Sequence, residues 1–414
     1  MADPLRAATR STYVVFAACG FLLAGWVARI PQLRDHLQLQ PTQLGWVLLG
    51  AAGGSLVSRP LSGPILARFG QRRTVSAAGA LAGAGLVVTG LGDVAGLGVL
   101  VAGLLAIGFT VSVWDVAMNV QGAEVERRLG RSIMPRFHAA FAAGTVVSAA
   151  LAAALIALHV PVAAHLTGVA LLVLVAVPVA ARDYLPESHE PGREHAGPAA
   201  TGRRSALRAW REPRTVLIGL FVLAFAFGEG AAGDWIGVAL IDGHGAAAAI
   251  GSLGYAVHLA ATTAVRWFGA GLLDRYGRVA VLRALGIVTI AGLLLFIFGP
   301  NLTAALTGAL LWGVGTAFGY PVGMSAGADD PRHAAARVTV VSTLGKLASF
   351  AGPPLIGMIG EHVTVLRALL VVAALQGVAV LIAGVTRPLR PAEPAHAPRG
   401  AEVSVGPEAG SPRS

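Results

Sequence analysis

The chain has 414 residues, 55% of them hydrophobic and only 13% charged, with a mean hydropathy of +0.70. A soluble domain carries about 25% charged residues, so this charge is too sparse to coat two or three water-soluble domains. The formal net charge of +10 sits mostly on arginines between apolar stretches, a pattern that orients membrane spans and argues against a nucleic-acid partner.

Apolar stretches of about 20 residues, enough to cross about 30 Å of hydrocarbon, recur along the whole chain. They predict twelve spans, near 12–31, 42–66, 75–92, 97–121, 136–158, 163–181, 214–241, 246–272, 279–298, 302–327, 338–359 and 365–386. The first residues, MADPLRAATRS, are too short and polar for a cleaved signal, so the first span is expected to stay in place. A single cysteine, Cys19, excludes an internal disulfide framework. With the N-terminus inside, 25 of the 31 basic residues fall in cytoplasmic segments, as membrane insertion favours. The expectation is an all-α polytopic protein of a bacterial inner membrane, with both termini cytoplasmic.

Residues 182–213 are rich in Pro, Gly, Glu and Arg and read as a linker with six spans on either side. The expected organisation is a cytoplasmic N-terminus (1–11), a six-helix bundle (12–181), the cytoplasmic linker (182–213), a second six-helix bundle (214–386) and a disordered-type cytoplasmic tail (387–414). The two bundles echo each other and are expected to be pseudo-symmetric. SRPLSGPILARFGQRR (58–73) and VRWFGAGLLDRYGRVA (265–280) align at an offset of 207, superposing Arg59 on Arg266, Arg68 on Arg275 and Gly70 on Gly277. HAAFAAG (138–144) and KLASFAG (346–352) align at an offset of 208. Duplicated six-span units are a common construction of secondary transporters, with the substrate held where the repeats meet.

Twelve spans as six plus six, with a Gly/Arg-rich loop after spans 2 and 8, resemble the major facilitator superfamily. GPILARFGQRR (63–73) is similar to that superfamily's loop signature, with Ala67 where an acid is expected; the second copy keeps the acid, as Asp274-Arg275-Tyr276-Gly277-Arg278. The resemblance implies that these loops latch the two halves in one state, through Gly63, Arg68, Gly70 and Arg72 in the first copy and Asp274, Arg275, Gly277 and Arg278 in the second. WDVAMNVQGAEVERRLGRSIMPRFHAAFAAG (114–144), EGAAGDW (229–235) and GPPLIG (352–357) look like the YbjJ/MosC-like branch, which is related to fucose permease. In that permease a Glu-x-x-x-Asn pair lies on span 4, where this chain has Asp115-x-x-x-Asn119; a Phe-Asn pair lies on span 5, where it has Phe137-His138. The permease's first-span acid has no counterpart, its position falling near Val27, which speaks against fucose as the cargo.

A charge at the membrane centre costs roughly 3 kcal/mol on insertion scales, so such groups face a cavity or a partner. Asp115 and Asn119 share one helix face, and His138 enters span 5 at a comparable depth. Asp115 reads as a proton or substrate site or as a structural hydrogen-bonding group. Glu229 lies near mid-depth in span 7, facing a cavity. Asp234 is five residues on and rotated away, an anchor at the outer rim beside Trp235; Trp26, Trp46 and Trp235 fit interfacial belts. Arg59 and Arg266 read as arginines that snorkel to the interface or pair locally. Lys346 stands at the repeat position of His138, able to pair with an acid or an anionic substrate or to snorkel to the interface.

Other chemistry fails on context. GMSAG (323–327) lacks the strand-turn-helix of a nucleophile elbow, and Gly345-Lys346-Leu347 is no phosphate-binding loop. No metal-ligand spacing, cofactor motif or catalytic constellation is visible, so an enzyme is not expected. The expectation is a monomeric secondary transporter, its partners the lipid bilayer, a small sugar-like polar solute or related metabolite, and H+, working by alternating access. Its rivals are a proton-driven exporter and, from another class, a membrane receptor or membrane-embedded enzyme.

Overall fold

The computed structural model describes residues 4–130, 133–185, 208–330 and 333–389. The central part of the 182–213 linker and nearly all of the 387–414 tail lie outside the described residues.

The described chain is helical throughout. The first half comprises α1 (Pro4–Val27), the short α2 (Ile30–His36), α3 (Pro41–Ala95), α4 (Leu97–Leu129), α5 (Met134–Ala157) and α6 (Val162–Ala181). The second comprises α7 (Pro213–His244), α8 (Ala248–Phe268), α9 (Ala270–Tyr276), α10 (Arg278–Phe298), α11 (Leu302–Thr316), α12 (Gly319–Gly327), α13 (Ala334–His362), α14 (Val365–Ala368) and α15 (Leu370–Ile382). Ten stretches are long and apolar enough to cross a membrane. One of them, α3, turns at Gly70 (φ 76°, ψ 165°) and so contains two crossings. α13 crosses too, its hydropathy held down by Ser342, Thr343, Lys346 and Ser349. The total is the twelve that the hydropathy pattern predicts.

Local chemistry marks the ends. Gln40 and Gln43 form a reciprocal capping box at the start of α3. The Asn301 side chain accepts from the Ala304 N–H at 2.9 Å to start α11. Gly130 and Gly245 close α4 and α7 in the left-handed conformation that glycine adopts at least cost.

Inside the membrane-spanning region the packing runs on small residues, as expected where lipid removes most of the hydrophobic drive between helices. A Cβ at Gly108 would fall 1.9 Å from the Ala51 carbonyl oxygen, and one at Gly54 would fall 2.1 Å from that of Leu105. The first crossing of α3 and helix α4 therefore touch backbone to backbone, which fixes their relative depth.

The halves meet most closely at the end remote from the two termini. There a Cβ at Gly45 would lie 2.5 Å from the Pro353 carbonyl oxygen, and one at Gly357 would lie 2.4 Å from that of Pro41. At the same end Ser252 Oγ donates to the Ala28 carbonyl at 2.7 Å, and Arg34 Nη1 donates to Asp242 Oδ2 at 2.5 Å. Ala24, Ala149 and Ala256 pack into one buried cluster from α1, α5 and α8. Trp26 and Trp235 are 6% and 0% exposed, so both are core residues of this seal; of the three expected belt tryptophans only Trp46 is exposed. Asp234 lies within electrostatic range of Tyr255 on α8, and neighbouring Gly233 sits across from Val27 of the first half. Asp234 therefore belongs to the seam between the halves instead of an outer rim.

Candidate functional site

Below the seal, polar side chains from both halves face one another. Asp115 on α4 is exposed although it lies mid-helix. Asn119, one turn on, donates from Nδ2 to Asp115 Oδ1 at 3.1 Å and to the Asp115 backbone carbonyl at 2.8 Å. The charges of His138, Arg59 and Lys346 all act on Asp115. His138 on α5 is also exposed, its ring edge-on to Phe16 with centroids 5.3 Å apart. The register of α3 against α4, set by Gly54 on Leu105 and Ala51 on Gly108, brings Arg59 to the depth of Asp115. Lys346 reaches the same group from α13 of the other half.

A second cluster adjoins the first. Arg266 Nη2 on α8 donates to Glu229 Oε1 on α7 at 2.6 Å, and Arg266 Nε donates to the Ala317 carbonyl at 2.7 Å. Tyr320 on α12 senses both Glu229 and Arg59, and a Cβ at Gly345 would lie 3.3 Å from its ring. Tyr320 thus sits between the two clusters and beside Lys346. Exposed and half-buried polar side chains, facing one another across the halves and sealed at one end, line a cavity open on the side of the termini.

Of the five polar residues singled out from sequence, the structure brings Asp115, Asn119, His138 and Lys346 together and puts Glu229 in the adjoining cluster with Arg266. Of the two arginines, Arg266 pairs locally, with Glu229, one of the two expected outcomes, and the charge of Arg59 acts on Asp115. Tyr320 was missed altogether. A signal for the arginines was present: both fall at the same repeat position, mid-span, where two unrelated snorkelling residues would be a coincidence. Tyr320 had no such signal, because one tyrosine in an apolar helix is ordinary.

The two Gly/Arg loops lie at the open end. Gly70 and Gly277 share a left-handed backbone, φ 76° and 78°. Arg68 stacks on Phe69 at 5.7 Å and Arg275 on Tyr276 at 5.2 Å. Gly63, Arg72 and Asp274 are exposed, and no hydrogen bond or ion pair engages Asp274 among the described residues. Among the described residues Arg278 bonds only within its own half, to Asp329 Oδ1 at 2.7 Å and Ser325 Oγ at 3.2 Å. In a molecule open at this end, neither loop would be engaged as a latch between halves. Among the described residues no cluster of His, Cys, Asp or Glu has the makings of a metal site.

A profile of the Major Facilitator Superfamily matches residues 11–353. An uncharacterised MFS-type transporter of Yersinia pestis is 29% identical over 353 residues, covering 85% of this chain and 88% of its own. Membrane protein MosC of Rhizobium meliloti is 27% identical over 369 residues, covering 88% and 86%. Among solved structures, the nucleoside transporter NupG superposes with a TM-score of 0.70 at 14% identity, covering 93% of this chain and 98% of that one. FucP in its outward conformation gives 0.61 at 14% identity, covering 91% and 99%; at such identities the likeness shows the fold alone. Twelve crossings, a polar cavity between two halves and a profile matching most of the chain agree, and the protein belongs to the major facilitator superfamily.

Proposed function

We propose that the protein is a secondary active transporter of a small polar solute, sugar-like or a related metabolite, that works by alternating access and is coupled to protons. The observation that carries this reading is the cavity itself: polar groups from both halves converge at mid-depth, beneath a seal at one end only. With both termini cytoplasmic in a bacterial inner membrane, as the arginine distribution favours, this conformation is open to the cytoplasm. Reversing it requires the Gly45–Pro353 and Gly357–Pro41 contacts to part and the Arg34–Asp242 pair to break, while the Gly70 and Gly277 loops approach and engage as latches.

Asp115 is the acid placed to take the coupling proton. Its carboxylate is open to the cavity, whereas Glu229 is tied to Arg266 at 2.6 Å. One charge moved down about 100 mV gains about 2.3 kcal/mol, which supports accumulation on the order of 50-fold. A single carboxylate is enough in energy terms.

The test uses proteoliposomes. Asp115→Asn keeps the side-chain shape but cannot titrate, so the variant should lose uphill, pH-gradient-driven uptake. It should still exchange labelled for unlabelled solute, because exchange needs alternation without net proton release. Joint loss of both activities together with thermal stability would assign Asp115 a bracing role, and intact uphill uptake would move the coupling site elsewhere, Glu229 first.

A further inference from the structure

Lys346 is the only lysine in the chain; the other 30 basic residues are arginines. Arginine serves this protein wherever a charge orients a span or caps a loop, yet the single ammonium is placed at mid-membrane, half-buried on α13. A compact point charge on a flexible stem differs from a guanidinium in the ligands it suits, so its placement calls for a specific partner. No hydrogen bond or ion pair engages Lys346 or Arg59 among the described residues. They approach from opposite halves, Arg59 on α3 and Lys346 on α13, and the charge of Arg59 acts on Lys346.

Counting charge around this cavity sharpens the point. Glu229 and Arg266 neutralise each other in a direct ion pair. That leaves two cations, Arg59 and Lys346, against one carboxylate, Asp115, whose Oδ1 is already bonded by Asn119. An uncompensated positive charge inside a bilayer is costly, and in an alternating cavity the arriving solute is what can compensate it. Tyr320, beside Gly345 and within range of Arg59, adds a hydroxyl between the two cations.

We propose that the transported solute carries one net negative charge, a carboxylate or an equivalent small oxyanion, held between Arg59 of the first half and Lys346 of the second, with its polar remainder toward Asn119, His138 and Tyr320. This rests on the transport reading above and narrows its substrate class. An anion bridging the two halves also supplies a physical reason for closure. Bound to both cations, it draws α3 and α13 together at the open end and favours the change to the opposite state.

The experiment measures thermal stabilisation and counterflow with probes of one size and different charge. Gluconate, glucuronate, galacturonate, lactate and glutamate are compared with glucose, fucose and myo-inositol, and with glucosamine as the cation. At least one monoanion should stabilise the protein and exchange at ten-fold lower concentration than any neutral or cationic probe. Arg59→Gln and Lys346→Gln should each weaken that response ten-fold or more, while Lys346→Arg, which keeps the charge but not the compact ammonium, should retain only part of it; their unliganded melting temperatures report whether they fold. If a variant does not fold, charge selectivity of the unaltered protein decides. Stabilisation and exchange confined to neutral or cationic probes, or an anion response unchanged in both Gln variants, overturns the anion proposal and leaves the transport reading standing. Absence of exchange with every probe of every charge overturns both.

Discussion

The two Gly/Arg loops turn the chain by the same device and then anchor it differently. Gly70 and Gly277 differ by only 2° in φ, and each follows an arginine stacked on an aromatic ring. Beyond the turn the halves diverge. In the second half Asp329, at the end of span 10, accepts from Arg278 at 2.7 Å and from Arg214 at 3.1 Å, and Arg214 also donates to the Val385 and Arg387 carbonyls. The carboxylate thereby ties spans 7, 9 and 10, and Arg214 carries the link on to span 12. In the first half Glu124 pairs with Arg127 and Arg128 of its own helix, and Glu126 Oε2 accepts from the Ile133 and Met134 N–H groups at 2.7 Å to start α5. Asp329 thus works between helices, where Glu124 pairs within its own.

The largest effect expected from this contrast is at Asp329. Asp329→Ala strands two arginines whose side chains are only 26% and 30% exposed and should cost about 2–3 kcal/mol. Glu124→Ala removes a carboxylate paired with Arg127 and Arg128, whose side chains are 54% and 38% exposed, so it should cost about 1 kcal/mol or less. Thermal melting in one detergent compares them directly. Equal losses would break the distinction between a carboxylate that works between helices and one that pairs within its own.

Next come the turns themselves. Gly70→Ala and Gly277→Ala place a Cβ at positive φ, at a cost of roughly 1–2 kcal/mol each. Nothing lies within 4 Å of a Cβ at Gly277, so the penalty there should be backbone strain alone. Similar melting shifts for the two variants would confirm that the shared backbone sets the cost; a much larger shift at one would show packing that the comparison omits.

The smallest effect concerns Glu212, which caps the second half beside α13. Its carboxyl is held below the ordinary value of 4.5, chiefly by the hydrogen bond from Arg337, with a second from Thr215 and burial opposing. Arg337 Nε reaches it at 2.6 Å and Thr215 Oγ1 at 2.9 Å. A folded-state value below the unfolded one means stabilisation that is complete above about pH 4.5 and is lost as pH falls through the folded value. Glu212→Gln should melt slightly below the unaltered protein at pH 7, and the two should converge as the pH drops below about 4.5. A constant gap down to pH 3 would assign the loss to packing instead of charge.

Much of this architecture can be read without coordinates, because bilayer thickness is a one-dimensional constraint. A stretch of 20 apolar residues has one stable way to satisfy its backbone in lipid, and so the twelve crossings, including α13 with its lysine, were legible. Position along each helix was legible for the same reason, which is why Asp115 and His138 are expected at a comparable depth and Glu229 near mid-depth. Rotation about each helix was not. Arg59 could reach the interface or the cavity at one and the same depth; only the Gly54–Leu105 contact, a matter of which helix faces fit together, turns it toward Asp115. Trp235 and Asp234 show the same limit, since residues near a membrane boundary can sit in a belt or in a seam between halves.

The sequence by itself determined the number of crossings, the duplication, the positions of the charges along each span and the imbalance of one lysine among arginines. These follow from composition and spacing under the cost of putting polar groups in hydrocarbon. Tertiary structure alone decided which charges meet. The pairing of Glu229 with Arg266, the approach of Arg59 and Lys346 from opposite halves, and the seal of Gly45 on Pro353 depend on helices brought together across hundreds of residues, where close packing of small side chains, and not any local propensity, sets the geometry.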